Sequence, residues 1–336
     1  MIETVLGPVP AEALGPVDMH EHLLLDASGL RRDGVAEPAP VHADVRPEVL
    51  GYLRWNALAL ADNLRLDCAD TAVEELVLAR AAGVGTVVEA TSVGLGPGHD
   101  RLPELARRSG VHVVAAYGIY LSSVLPGWAA ALDETALEEH LTGALEDHVP
   151  GTGYRAGLLG IMGTTGTVTG VERARLRAAA RAAARTGAAV TVRLDPVSRS
   201  GVDVVELLTG QGTAADKVLF TNCDEFLDAP YLAELSAAGA TLEMCFGTEF
   251  QHLGRLENPS DRERLDFLVR FLDAYPASRW VIGGSTWTKI QLTRYGGGGL
   301  AHPLGRMVPE LARRGVPAET IAAMTVREPA RLLDRS

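Results

Sequence analysis

Cysteine is scarce in this chain, lysine scarcer still, and long apolar runs are missing. The three cysteines, Cys68, Cys223 and Cys245, are odd in number and far apart, so they supply neither a disulfide framework nor a paired-cysteine zinc motif. A reducing, cytoplasmic setting is the expectation. No basic-then-apolar leader opens the sequence, and no apolar stretch reaches the length of a bilayer span. Lys217 and Lys289 are the only lysines among 31 basic residues, so chemistry that needs a lysine has two candidates. Acidic residues number 43 and leave a net charge of −12, the wrong sign for electrostatic attraction to nucleic acid or an anionic membrane. The expected partner is a small molecule.

Apolar residues are plentiful. At 47% of 336 residues they can fill a large core, as two ordinary domains or as one α/β barrel. Eight β-branched or apolar runs, at 17–22, 86–91, 111–120, 155–162, 189–195, 217–224, 240–246 and 279–287, alternate with Ala/Leu/Arg-rich helical stretches. Helices are legible at 68–82, 133–147, 171–186, 229–238, 261–275 and 304–314, with a further one expected near 48–65. Repeated βα units of this kind predict a single (β/α)8 barrel over residues 1–336. A dinucleotide fold lacks its Gly-x-Gly-x-x-Gly turn, because Pro97 makes 94–98 a loop. The arginines of 171–186 read as a solvated face. Two loops, 31–47 and 295–300, flank the expected mouth, the second rich in glycine and expected to be flexible.

The first run contains His20 and His22. In a strand they face the same side, roughly 7 Å apart along the backbone, so two imidazoles converge on one point. Function in such barrels collects at the C-terminal strand ends. The residues expected there are His20 and His22, Glu89, Tyr117 and Tyr120, Gly160 and Met162, Arg193 and Asp195, Asn222 to Asp224, Glu243 and Cys245, and Ser285 and Trp287. The remaining seven histidines fall elsewhere.

The passage from Thr4 to Leu25, with Val17-Asp18-Met19-His20-Glu21-His22 at its heart, resembles the opening of the phosphotriesterase family of the amidohydrolase superfamily. The resemblance continues through Gly110–Ala115, Gly118-Ile119-Tyr120, Gly151–Leu159, Arg294–Gly297 and Arg314–Pro317 to Glu328–Leu333. It implies a metal-binding His-x-His pair on strand 1, a carboxylated lysine on strand 4, a histidine on each of strands 5 and 6, and an aspartate on strand 8, together holding two divalent ions. Only His20 and His22 match. Gly160 stands at the lysine position, Arg193 and Asn222 at the two histidine positions, and Ser285 at the aspartate position.

Three readings stay open at this stage. In the first, a metal-independent enzyme performs acid/base chemistry (isomerisation, elimination, cyclisation or hydrolysis) on a small anionic or polar metabolite. His20, His22, Arg193, Asp195 and Glu243 are then catalytic, and Tyr120, Asn222, Cys223, Ser285 and Trp287 bind substrate. Arg193 either clamps an anion or pairs with Asp195 or Glu243. In the second, the chain binds a small molecule without turnover. The third is a metal-dependent lactonase or phosphotriesterase-like hydrolase with fewer ligands, one zinc or similar ion sitting on His20 and His22 with help from a carboxylate. Cys223 and Cys245 are alternative thiolate nucleophiles. No cofactor is expected under the first reading. A homodimer is compatible with the resemblance.

Overall fold

The computed structural model describes residues 1–35, 40–250 and 257–335. Eight strands form its centre: β1 (Val17–Glu21), β2 (Thr86–Glu89), β3 (His112–Tyr117), β4 (Leu158–Gly163), β5 (Val190–Arg193), β6 (Val218–Thr221), β7 (Thr241–Cys245) and β8 (Trp280–Gly283). Each pairs in parallel with the next. Beyond β8, the amides of Gly284 and Ser285 donate to the His20 carbonyl at 3.2 and 2.6 Å, so the last strand meets the first and the barrel closes. The strands are shorter than the apolar runs, because residues such as Asn222 leave the sheet where the run continues.

Alternation along the strands builds two cores. Val88, Val114, Leu158, Leu219 and Val281 fill the barrel's interior, while Val87, Val113, Phe220, Met244 and Ile282 pack outward against the helices. The outer layer includes α1 (Ala69–Ala81), α2 (Leu102–Ser109), α3 (Glu134–Glu146), α4 (Gly170–Thr186), α5 (Gly201–Thr209), α6 (Ala229–Ala237), α7 (Asp261–Ala274) and α8 (Val308–Arg313). The sequence reading does not anticipate α2 and α5, which are short and carry Pro103 or β-branched residues that weaken a helical signature. A capping box between Thr169 and Glu172 starts α4, and Gly187 at φ 71° ends it. Its arginines are not merely solvated. Arg177, Arg181 and Arg185 reach Glu134, Glu138 and Glu146 of α3 at 2.5, 2.5 and 2.8 Å, a half-exposed ladder worth at most about 1 kcal/mol per pair.

Two local expectations are corrected. The segment 48–65 is not one helix. A 3-10 turn at Pro47–Val49 leads into a helix at Leu50–Trp55, and a second 3-10 turn at Ala61–Leu64 leads into a short strand, Arg65–Leu66, paired antiparallel with Leu25–Asp26. Asn56 ends the helix: its side-chain amide donates to Tyr52 O, and its Oδ1 accepts from Val35 N at 2.8 Å. The loop 295–300 is anchored rather than loose. The buried Glu75 carboxylate on α1 accepts from Thr293 N at 2.6 Å and Leu300 N at 3.2 Å. Part of the loop at 31–47, residues 36–39, lies outside the described residues. Glu75→Ala leaves those amides without their acceptor and should cost about 2–3 kcal/mol, read as a lowered urea midpoint at unchanged slope.

Candidate active site

The C-terminal strand ends open into a cavity with about 990 Å³ of empty space, open solvent at its mouth included. His20, His22, Tyr120, Arg193, Asn222 and Ser285 line it, with Trp287 and Glu225 beside them. Two of these residues have unusual backbones. Asn222 at φ 55° and Ser285 at φ 49° sit in the left-handed region just past β6 and β8, a conformation that costs non-glycine residues free energy and concentrates at functional positions. They meet each other: Asn222 Nδ2 donates to Ser285 Oγ at 3.3 Å.

Behind the cavity surface runs a chain of hydrogen bonds. His20 Nδ1 lies 2.9 Å from Glu243 Oε2 and 2.9 Å from Thr221 Oγ1. The Thr221 hydroxyl donates to Asn222 Oδ1 at 2.8 Å, so it turns lone pairs toward the ring, and Nδ1 must carry the proton. That leaves His20 Nε2 facing His22 Nε2 at 3.1 Å, with one proton shared between them, while His22 Nδ1 meets Thr91 Oγ1 at 2.9 Å. Burial, with His20 adjacent, pushes the His22 pKa well below its ordinary value, so His22 is neutral. Burial opposes ionisation of Glu243, yet the His20 ring and hydrogen bonds from His20 and Cys245 hold its carboxyl below the usual carboxylate value. A carboxylate fixing an imidazole tautomer this way is a standard device for general acid/base work.

Arg193 has a partner that the sequence reading missed. Its Nη2 donates to both Glu225 oxygens, at 2.7 and 2.6 Å. Burial works against the guanidinium's charge, but Glu225, with Tyr120 and Asp195 near, raises its pKa above the ordinary value. Glu225 follows Asn222 through a 3-10 turn at Cys223–Glu225, and only the left-handed kink at Asn222 turns it toward Arg193. Neither Asp195 nor Glu243 is that partner by direct hydrogen bond: Glu243 is wholly buried behind His20, and Asp195 accepts from Val197 N at 3.3 Å in the loop after β5.

Other expected residues also sit off the cavity. Cys223 donates to Phe220 O at 3.2 Å and packs against the outer core. Cys245 lies closer, its thiol 3.3 Å from Glu243 Oε2. Burial pushes both thiols up, so they stay protonated and do not form thiolate nucleophiles. Tyr117 turns outward to His140 Nε2 at 2.8 Å, and Met162 packs in the outer core. Glu89, raised to about 7 by burial, accepts from Leu23 N at 2.6 Å and Thr91 N at 3.0 Å, which fixes the turns carrying His22 and Thr91. Asp224 pairs with Arg264 at 2.8 Å. Besides Glu225, the residues missed were Thr91 and Thr221, whose hydroxyls give no pattern in a sequence.

The phosphotriesterase family model matches residues 1–333. The chain belongs to that family. It is 30% identical to the N-acetyltaurine hydrolase of Danio rerio, covering 99% of this chain and 97% of that protein, and 29% identical to the human N-acetyltaurine hydrolase over 98% and 96%. Among solved structures it is similar to a resiniferatoxin-binding protein from Rhodobacter sphaeroides, with TM-score 0.94, 30% identity and coverage of 99% and 94%. The Escherichia coli phosphotriesterase homology protein, at 21% identity and TM-score 0.78 over 96% and 99%, shares the fold.

The two-metal centre of the phosphotriesterase family does not fit these residues. Gly160 is more than a missing lysine: at φ 134° a Cβ there would fall 2.7 Å from both the Thr191 side chain and its carbonyl oxygen, so β5 occupies the space. Arg193 brings a cation and Glu225 is engaged with it. His20, Glu243 and Cys245 offer donor atoms within 4.8 Å of one another, a cluster with three ligands for one ion and not the set for two. Gly160→Lys should therefore lower the melting temperature by several degrees without adding two equivalents of metal, as thermal denaturation and elemental analysis would show. Arg193→Met deprives Glu225 of its guanidinium and should cost about 3–5 kcal/mol, measured by chemical denaturation. A variant as stable as the parent would contradict the pairing.

Proposed function

We propose that this phosphotriesterase-family chain is a hydrolase that works without the two-metal centre, using the His20–His22 pair as its acid/base group. The observation carrying this reading is the chain Glu243–His20–His22–Thr91, which fixes the tautomer and backs a ring at the cavity with a carboxylate. Its substrate is a small polar or anionic molecule with a hydrolysable amide, ester or lactone bond, in line with relatives named as hydrolases.

The steps follow from proton positions. Water enters between the dyad and the substrate carbonyl, the His20–His22 hydrogen bond gives way, His20 Nε2 takes one of the water's protons, and the oxygen bonds to the carbonyl carbon. Glu243 stabilises the imidazolium that results. Charge moves to the carbonyl oxygen, where Asn222 Nδ2 and Ser285 Oγ serve as donors. Collapse breaks the bond to the leaving group, which takes the proton back from the imidazolium. Glu243 is a positioning residue, because it acts through His20. Tyr120 and Trp287 form walls. Asp195 holds the loop after β5 beside Arg193.

His20→Gln and His22→Gln should each lower kcat by roughly 10²–10⁴-fold, and Glu243→Gln should lower it while leaving KM nearly unchanged. A saturating chelator should leave activity intact, and elemental analysis should find less than one metal per chain. One observation favours a second reading. The 3.1 Å between the two Nε2 atoms is also the separation of two nitrogens on one ion, so a mononuclear hydrolase would show one tightly held equivalent and chelator-sensitive activity. Finding both would replace the first reading.

A further inference from the structure

We propose that the substrate is an amphiphile: a reacting polar group at the cavity floor, an apolar body of several carbons along its walls, and an anionic group at its rim held by Arg32. This rests on the reading that the cavity is the reaction site. It adds which residues select the substrate.

Charge decides where an anion goes. At the floor, Arg193 is already engaged by two hydrogen bonds to Glu225. A negatively charged group placed there would compete with a buried carboxylate for the same guanidinium. Near the mouth, Arg31 donates to Asp33 and to Ala59 O, each at 3.1 Å, and Lys289 is held by Asp62 at 2.5 Å. Arg32 lines the cavity and is exposed, and among the described residues no carboxylate lies in ion-pair range of it. Its backbone is fixed, since Arg32 N donates to Leu58 O at 3.1 Å.

Between floor and rim the wall is mainly apolar, with Thr248 and Asn258 as its polar members and Tyr120 and Trp287 as aromatic ones. Leu25, Leu30, Leu58, Leu95, Leu121 and Ile161 all line it. A metabolite whose every part is polar would leave these side chains in contact with trapped water. An apolar segment releases that water, at about fourfold in affinity per buried methylene. Leu30, Arg32 and Leu58 come from the segment between β1 and α1, so this long connection supplies the selectivity while the strand ends supply the chemistry.

Calorimetric titration of the intact protein with acetate, octanoate and 1-octanol at low salt tests this without requiring turnover. Octanoate should bind at least a hundredfold tighter than acetate and about tenfold tighter than 1-octanol. Arg32→Gln should remove the preference of octanoate over octanol and leave octanol affinity unchanged. Leu30→Gln and Leu58→Gln should weaken both eight-carbon probes by about tenfold, with melting curves confirming that each variant is folded. The proposal is overturned if octanoate binds no better than acetate, or if its advantage over octanol survives Arg32→Gln, which would put the anion at the floor. Absence of hydrolytic activity alongside the predicted binding pattern would defeat the reaction proposed above and not this one.

Discussion

Two backbone hydrogen bonds into the carbonyl of His20, from Gly284 and Ser285 at 3.2 and 2.6 Å, make the site possible. They close the barrel, and in closing it they bring the end of β8 against the residue at the centre of the candidate chemistry. Gly283 permits the approach, because a Cβ there would lie 2.8 Å from His20 Cβ and 3.1 Å from both the His20 amide and Glu243 Oε1. The same junction places Ser285 opposite Asn222, both in the left-handed region. Closure of the sheet and assembly of the donors are therefore one event, and a perturbation of the β1–β8 seam reaches the reactive groups directly.

The seam and its surroundings bury far more acid than base. Asp18, Glu21, Glu89, Asp224, Glu225 and Glu243 are all buried near the strand ends or beneath them, against the guanidinium ions of Arg193 and Arg264. The fold handles each differently. Glu225 and Asp224 take the arginines, and Arg264 also bridges to Asp261 at 2.9 Å. Glu243 takes His20. The others have no cation paired with them among the described residues: burial raises Asp18 to about 7 against the lowering effect of hydrogen bonds from His20 N and Glu21, burial and the neighbouring Asp18 carboxyl push Glu21 well up, and Glu89 reaches about 7 while accepting two backbone amides. Protonation thus substitutes for missing counter-charge, as expected where ionised carboxylates would be desolvated.

Against its family, the chain keeps the barrel, the mouth and the first two histidines while replacing the other positions that the resemblance assigns to metal. The replacements are mutually consistent. Gly160 lets β4 and β5 approach, Arg193 and Glu225 occupy adjoining space as an ion pair, and Asn222 with Ser285 forms a polar contact where an imidazole and a carboxylate are otherwise expected. Contacts of this kind across four strands keep the buried polar groups partnered, and a half-satisfied buried polar network is costlier than an apolar one.

By itself the sequence determined the architecture, because alternating β-branched and helical runs leave few ways to bury 47% apolar residues, and period-two alternation fixed that His20 and His22 share a face. It also determined which residues stand at the strand ends. Only the tertiary structure decided what those residues do there. Arg193 met Glu225 rather than Asp195 or Glu243 because a left-handed residue at Asn222 redirects the chain after β6. Cys223 turned to the outer core while Cys245 turned toward Glu243, a difference of facing that neither residue's neighbours encode. Thr91 and Thr221 entered the hydrogen-bond chain because strand register set their hydroxyls within 2.9 Å of a ring nitrogen. Strand identity follows from local periodicity, but partnership across a barrel depends on register, closure and turns, which are properties of the assembled sheet.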